Sequence, residues 1–444
     1  MNDLYPYRQS SHSSALGEYR RLALQPGNRW LLLFACIALL FVVVRGYLDE
    51  SDPYEVTWSA TRMADVELSA AGHAESWPAW VRWLVGLETR DEALDWMAGE
   101  FAHLNSKNEL TEEGQEAAAM IAALAKGDLT NYEQIDWEER YAQGAFAWER
   151  LAAERLLEEN PPGWWLEWER EYRLSDQRTA WTAVAGSALW YVAFLVGLPF
   201  IPAALRCFQL KNHKPLSPLI RAWRPDAVTV RYVLSDLLAL GILIAISSLV
   251  PVEIWERHFG LTLIVTDSIW RLSGPILLAL FLVVKWRHAL RILGLTLRPI
   301  LPPILGMVAL GFLYDWFLYF TVGQFFRGEE LNVLSSVEEG AWGLAFAIVS
   351  GVLLAPVVEE VVYRGFLFQS YARRFGFVAA VLLSTALFTI VHYYGICGSL
   401  SVAFFGFGAC ALYRATGSLW TGIVFHSLNN GLITLSMWPL FHSF

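Results

Sequence analysis

Two adjacent carboxylates, Glu359 and Glu360, interrupt an apolar run from Ala341 to Phe368 that otherwise reads as a membrane span. A charge near the bilayer centre costs about 2.5–3.5 kcal/mol on insertion scales, so such residues are functional candidates by default. On a helix, Glu360 and Arg364 stand four residues apart on one face and can pair. Glu359 points about 100° further round, so that pair does not consume it. One carboxylate is neutralised and one is left over, as a buried general base requires. Two later apolar runs repeat the i,i+4 spacing, with Phe388 before His392 and His426 before Asn430.

Depth brings these groups together. Arg373, Gly376 and Gly417 mark helix ends on one membrane face. Counting about 1.5 Å per residue from them puts Glu359 roughly 21 Å in, His392 roughly 24 Å, His426 about 14 Å and Asn430 about 20 Å. Helix tilt absorbs that spread, so polar groups from three helices can form one site. Taken singly, each group has a plainer reading. A lone intramembrane histidine more often serves a packing contact, Phe388 packs in either case, and Glu360 with Arg364 could simply lock two helices.

The elements that must hold these residues are membrane helices. Of 444 residues 55% are hydrophobic and 17% charged, which excludes an ordinary soluble enzyme. The net charge of −10 is a sum of opposite parts. Asp49–Arg178 carries about 29 acidic and 11 basic residues, and the remainder is net basic. No basic surface points to nucleic acid. Four cysteines (Cys36, Cys207, Cys397, Cys410) lie in or beside apolar runs and suggest neither disulfides nor a zinc–thiolate site.

The fold expected is all-α, a polytopic membrane protein with about nine spans and a helical hydrophilic insertion after the first. Residues 1–29 form a cytoplasmic tail and 30–48 an uncleaved anchor. Residues 49–179 are the acidic, extracytoplasmic insertion. Within it Leu94, Met97, Phe101 and Leu104 share a helix face, a second helix runs from Thr111 to Gly127, and a third from about Tyr132 to Asn160. A spacer or stabilising role comes first for this region, with a lid or partner-binding module as alternatives. Residues 181–340 hold spans two to five and 341–438 the last four, at about Ala341–Phe368, Phe377–Tyr394, Leu400–Tyr413 and Leu419–Trp438. Basic loops (Lys211, Arg224, Lys285, Arg298) alternate with acidic ones (Glu253, Glu329, Glu339), which places the N-terminus inside and favours a plasma or inner membrane. Gly406, Gly408 and Gly422 are read as sites of close helix packing.

Glu-Glu-x-x-x-Arg, Phe-x-x-x-His and His-x-x-x-Asn, in this order on successive helices, resemble the CPBP family of intramembrane proteases. That family includes CAAX prenyl proteases and bacteriocin-processing or bacteriocin-immunity relatives (the "abortive infection" domain). The resemblance covers about Ala341–Leu435 and leaves out the anchor and the acidic region. It implies Glu359 as the base that activates a water, with His392 helping to hold that water. His426 and Asn430 would stabilise the oxyanion, and Glu360 with Arg364 would orient the site. The sequence offers no Ser-His-Asp order and no His-Glu-x-x-His helix, so other protease mechanisms have little support.

A metal is the open alternative, since the family has been called both metal-dependent and glutamate-based. Glu359, His392 and His426 would make a three-ligand zinc site with an open position. Asn430 suits an oxyanion hole better than a zinc shell, so the favoured expectation is no cofactor. The expected partners are a peptide or protein substrate, membrane-bound or lipid-modified, the bilayer itself, and a partner for the acidic region. The rival function is a non-catalytic scaffold or immunity protein. A proton-coupled transporter is less favoured, because no second half repeats the pattern of Ala341–Leu435.

Overall fold

The computed structural model describes residues 37, 52–142, 144–158, 161–216, 224–282, 290–325 and 340–442. Apart from Ile37, the expected first span, with Cys36, lies outside them, as do Lys285, Glu329 and Glu339. The described residues are helical and contain no strand. Two compact units divide the chain: one of Met1–Leu48, Val196–Tyr319 and Ile348–Asn430, the other of Asp49–Leu195, Phe320–Ala347 and Gly431–Phe444.

The second unit contains the acidic region, folded around its own apolar core. Helices α1 (Pro53–Ala74), α2 (Ala79–Val85), α3 (Arg90–Ser106), α4 (Glu112–Lys126), α5 (Trp137–Ala142) and α6 (Ala147–Leu157) follow one another. Leu94, Met97, Phe101 and Leu104 are all buried, on the face their spacing predicts. Thr111 caps α4 by accepting from Gly114 N, and Gly127 closes it in the left-handed conformation. The single helix expected over Tyr132–Asn160 is broken instead. Asp136 accepts from the backbone N of Glu138 and Glu139 and starts α5, and Gly144 takes φ +91° before α6 begins. Arg150 ties the core together: it donates to Ser69 Oγ at 2.7 Å and Asp176 Oδ1 at 2.9 Å.

After Pro161-Pro162 the chain forms α7 (Gly163–Cys207), a run long enough to cross a membrane that passes through a 3-10 turn at Leu198–Phe200. Then come α8 (Pro225–Leu249), α9 (Val252–Arg257), α10 (Phe259–Leu282), α11 (Leu301–Phe320), α12 (Gly340–Phe375), α13 (Phe377–Ile390), α14 (Ile396–Thr416) and α15 (Leu419–Phe441). Six of the described helices (α7, α8, α10, α11, α12 and α14) are long and apolar enough to span. With the shorter α13, the more polar α15 and the undescribed first run, they are compatible with the expected nine. This is an integral membrane protein.

In the first unit α12 is the centre. Every residue from Val362 to Tyr371 is buried, the polar Arg364, Gln369 and Ser370 included. Val228 and Val233 of α8, Leu278 of α10, Val381 of α13, Cys410 of α14 and Ile423 of α15 belong to the same core. The helix is not regular: Ala347–Leu354 and Glu360–Phe368 take π geometry on either side of a short α segment, Ala355–Glu359. Wide turns of this kind free backbone groups and gather at functional sites.

Candidate active site

Glu359 and Glu360 sit where α12 changes from α to π geometry. Glu360 and Arg364 are both fully buried, with Arg364 Nη1 3.0 Å from Glu360 Oε1. This is a charge pair rather than an aligned hydrogen bond. The guanidinium is held from its other side by rings: its carbon lies 4.2 Å from the centre of Phe388 and 5.9 Å from that of Phe405. An aromatic face attracts a desolvated cation by about 2 kcal/mol or more. Phe388 is thus more than packing, and Phe405, absent from the sequence pattern, is its partner.

His426, on α15, turns Nδ1 to Glu360 Oε1 at 3.1 Å and Nε2 to Glu359 Oε2 at 3.8 Å. A carboxylate can only accept, so Nδ1 carries a proton and Glu360 fixes the ring. The second separation is too long for a direct hydrogen bond. Phe405 and Phe388 flank the imidazole, at 4.7 and 6.0 Å between ring centres. Gly422, one turn before His426, allows this approach: a Cβ there would fall 2.8 Å from Glu360 Oε2. On α14, a Cβ at Gly406 would come within 3.3 Å of Arg364 Nη2. These two glycines make room for the charged pair itself.

His392 does not lie on a helix. The expected span to Tyr394 ends at Ile390, because the chain turns through Tyr393 at φ +55°. The ring nevertheless folds back: Nδ1 donates to Phe388 O at 2.6 Å, and the two rings meet edge to face at 4.6 Å. Glu359 and His426 both act on it electrostatically.

Asn430 is engaged elsewhere, its Nδ2 donating to Gly351 O at 2.9 Å. In the π register the donor for Gly351 O would come from residue 356, and Pro356 has no N–H to give. Asn430 supplies it. Around the cluster, Ser384 donates to Tyr363 O at 2.9 Å, and the Tyr363 hydroxyl lies 3.0 Å from that of Tyr232, which bonds Asp236 on α8.

The structure therefore gathers Glu359, Glu360, Arg364, His426 and Phe388 directly, brings His392 to their edge, and seats Asn430 against the backbone of α12. Among the described residues, no three His, Cys, Asp or Glu side chains are arranged to hold a metal ion.

Residues 341–432 match the family model for Rce1-like proteins, type II CAAX prenyl endopeptidase. This core is CAAX-protease-like. The matched segment runs from the start of α12 into α15, the stretch that contains Glu359, Glu360, Arg364, His392, His426 and Asn430. The acidic region lies outside the CAAX-protease-like core. Neither a curated protein nor a solved structure matches the chain.

Proposed function

We propose that the chain is an intramembrane endopeptidase in which Glu359 activates a water against a peptide bond. The observation that carries this reading is the division of labour between the two carboxylates. Glu360 is engaged by Arg364 and by His426 Nδ1. Glu359 Oε2 is buried without a hydrogen-bond partner and faces His426 Nε2. Two carboxylates, one guanidinium and one imidazolium sum to zero charge, so the cluster is neutral when both carboxylates are ionised and His426 carries a proton on each ring nitrogen.

In the reaction, Glu359 takes a proton from water as its oxygen bonds to the carbonyl carbon. The oxyanion that forms lies beside His426 Nε2–H, whose charge is balanced by the carboxylates. His392 Nε2 helps seat the water, its ring fixed by the Phe388 carbonyl. Collapse breaks the C–N bond while Glu359 returns its proton to the leaving amine, and an acid and an amine depart. Asn430 has a second amide N–H and serves the oxyanion as well as Gly351. The likeness to CAAX endopeptidases favours a substrate with a prenylated C-terminus, and the membrane setting suits one.

The test is hydrolysis of quenched peptides, prenylated and plain, by purified protein in liposomes with and without a strong chelator. Cleavage indifferent to the chelator supports the glutamate reading. Loss restored by zinc would move Glu359, His392 and His426 to metal ligands.

A further inference from the structure

Helix α2, Ala79–Val85, buries none of its residues. Trp80 is 68% exposed and Trp83 55%, and Leu84 is exposed beside them. The only charge in the helix, on Arg82, is turned back to close the preceding bend, donating to Glu75 O and Trp77 O at 3.1 and 3.0 Å. On α2 the acidic region therefore presents a short face of indole and leucine. Exposed aromatic faces of this kind mark an interaction surface.

Where that face lies is fixed by its ties to the spanning helices. Tyr191 of α7 donates to Leu84 O at 2.6 Å and Ser187 donates to Val85 O at 3.2 Å. The Trp83 ring stacks on Phe320, the last residue of α11, at 5.8 Å. No charged residue occurs between Arg178 and Arg206 on α7. A hydrocarbon core takes about 20 helical residues, so counting back from Arg206 puts its near edge at Gly186–Ser187. The ties to α2 are at that edge, and Phe320 ends its own span there. Trp342, at the start of α12, is exposed in the same unit. Indole rings favour this boundary because the ring is apolar and its N–H stays wet.

We propose that α2 is a non-spanning interfacial anchor. Trp80, Trp83 and Leu84 enter the headgroup–acyl boundary of the bilayer that α7 and α11 cross, and hold the acidic region down on the membrane surface. The proposal depends on the membrane reading and not on peptidase activity.

The test places the photo-crosslinking residue p-benzoylphenylalanine at Trp80, at Trp83, or at exposed Glu113 of α4 as a control, in the full chain in phosphatidylcholine–phosphatidylglycerol liposomes. Trp80 is more than two-thirds exposed, so its replacement disturbs little packing, and each variant is first matched to the wild type by melting. Irradiation should give lipid adducts at residues 80 and 83, several-fold above those at 113. Adducts to a second copy of the chain, or lipid adducts no more abundant than at 113, would overturn the proposal.

Discussion

Glu360 and His426 are bound to each other across two helices, Oε1 to Nδ1 at 3.1 Å, and Gly422 stands where any side chain would separate them. The contact joins the carboxylate nearest Arg364 to the imidazole nearest Glu359, so the charge pair positions the reactive pair. Gly422→Ala should therefore lower turnover by at least tenfold, about 1.4 kcal/mol, with little change in substrate affinity. The check is a KM-against-kcat comparison. Unchanged kcat would mean that the contact is only structural.

The buried ion pair itself should be costly to break on one side. Removing one partner leaves an uncompensated charge, typically about 3–5 kcal/mol, so Glu360→Gln and Arg364→Met should each destabilise strongly. The double variant should recover much of that loss in a thermal melt, because neither charge is then left alone. Arg364→Lys should not substitute, since an ammonium lacks the flat face that meets Phe388.

Asn430 permits a separation of roles. Asn430→Ala orphans Gly351 O, a loss of about 1–3 kcal/mol. Pro356→Ala restores an N–H at residue 356, so it should soften the stability defect of Asn430→Ala. Activity should remain low in that double variant if Asn430 also serves the oxyanion. Recovery of activity together with stability would make Asn430 a purely structural residue.

Burial raises the carboxyl of Glu100 to about 7, and burial reinforced by nearby Glu88 does the same for Glu67. A carboxyl whose folded pKa lies above its unfolded value of 4.5 binds more protons when folded. Its contribution is complete below that value and is lost as pH rises through 7. The acidic region should melt at a higher temperature near pH 5 than near pH 8, and Glu100→Gln should flatten the difference. Glu92 and Asp128, both lowered by hydrogen bonds to threonines, act only below this window. A melting temperature that rises between pH 5 and 8 would contradict this assignment.

How far the chain could be read in advance differs from one element to the next. Spans and caps were legible because apolar length and residues such as Thr111 and Gly127 act locally. The i,i+4 pairing of Glu360 with Arg364 was legible for the same reason, although the segment proved to be π rather than α. That change of register was not legible, because it depends on what surrounds α12 and on a carbonyl that Pro356 cannot serve. Phe405 was hidden among aromatics whose spacing does not tell a site-facing ring from a lipid-facing one. The break at Gly144 and the exposed α2 were missed because periodicity alone does not locate a turn or a surface patch.

The central claim is that Glu359 is the base, and Glu359→Gln tests it most directly, since the amide keeps the shape and removes the proton acceptor. The measurement is single-turnover cleavage of a prenylated quenched peptide in liposomes, with melting and substrate binding followed on the same preparation. The account expects folding and binding to persist while cleavage falls by about 10²–10⁴-fold, the usual worth of a positioned general base. Cleavage by Glu359→Gln at the wild-type rate would contradict it.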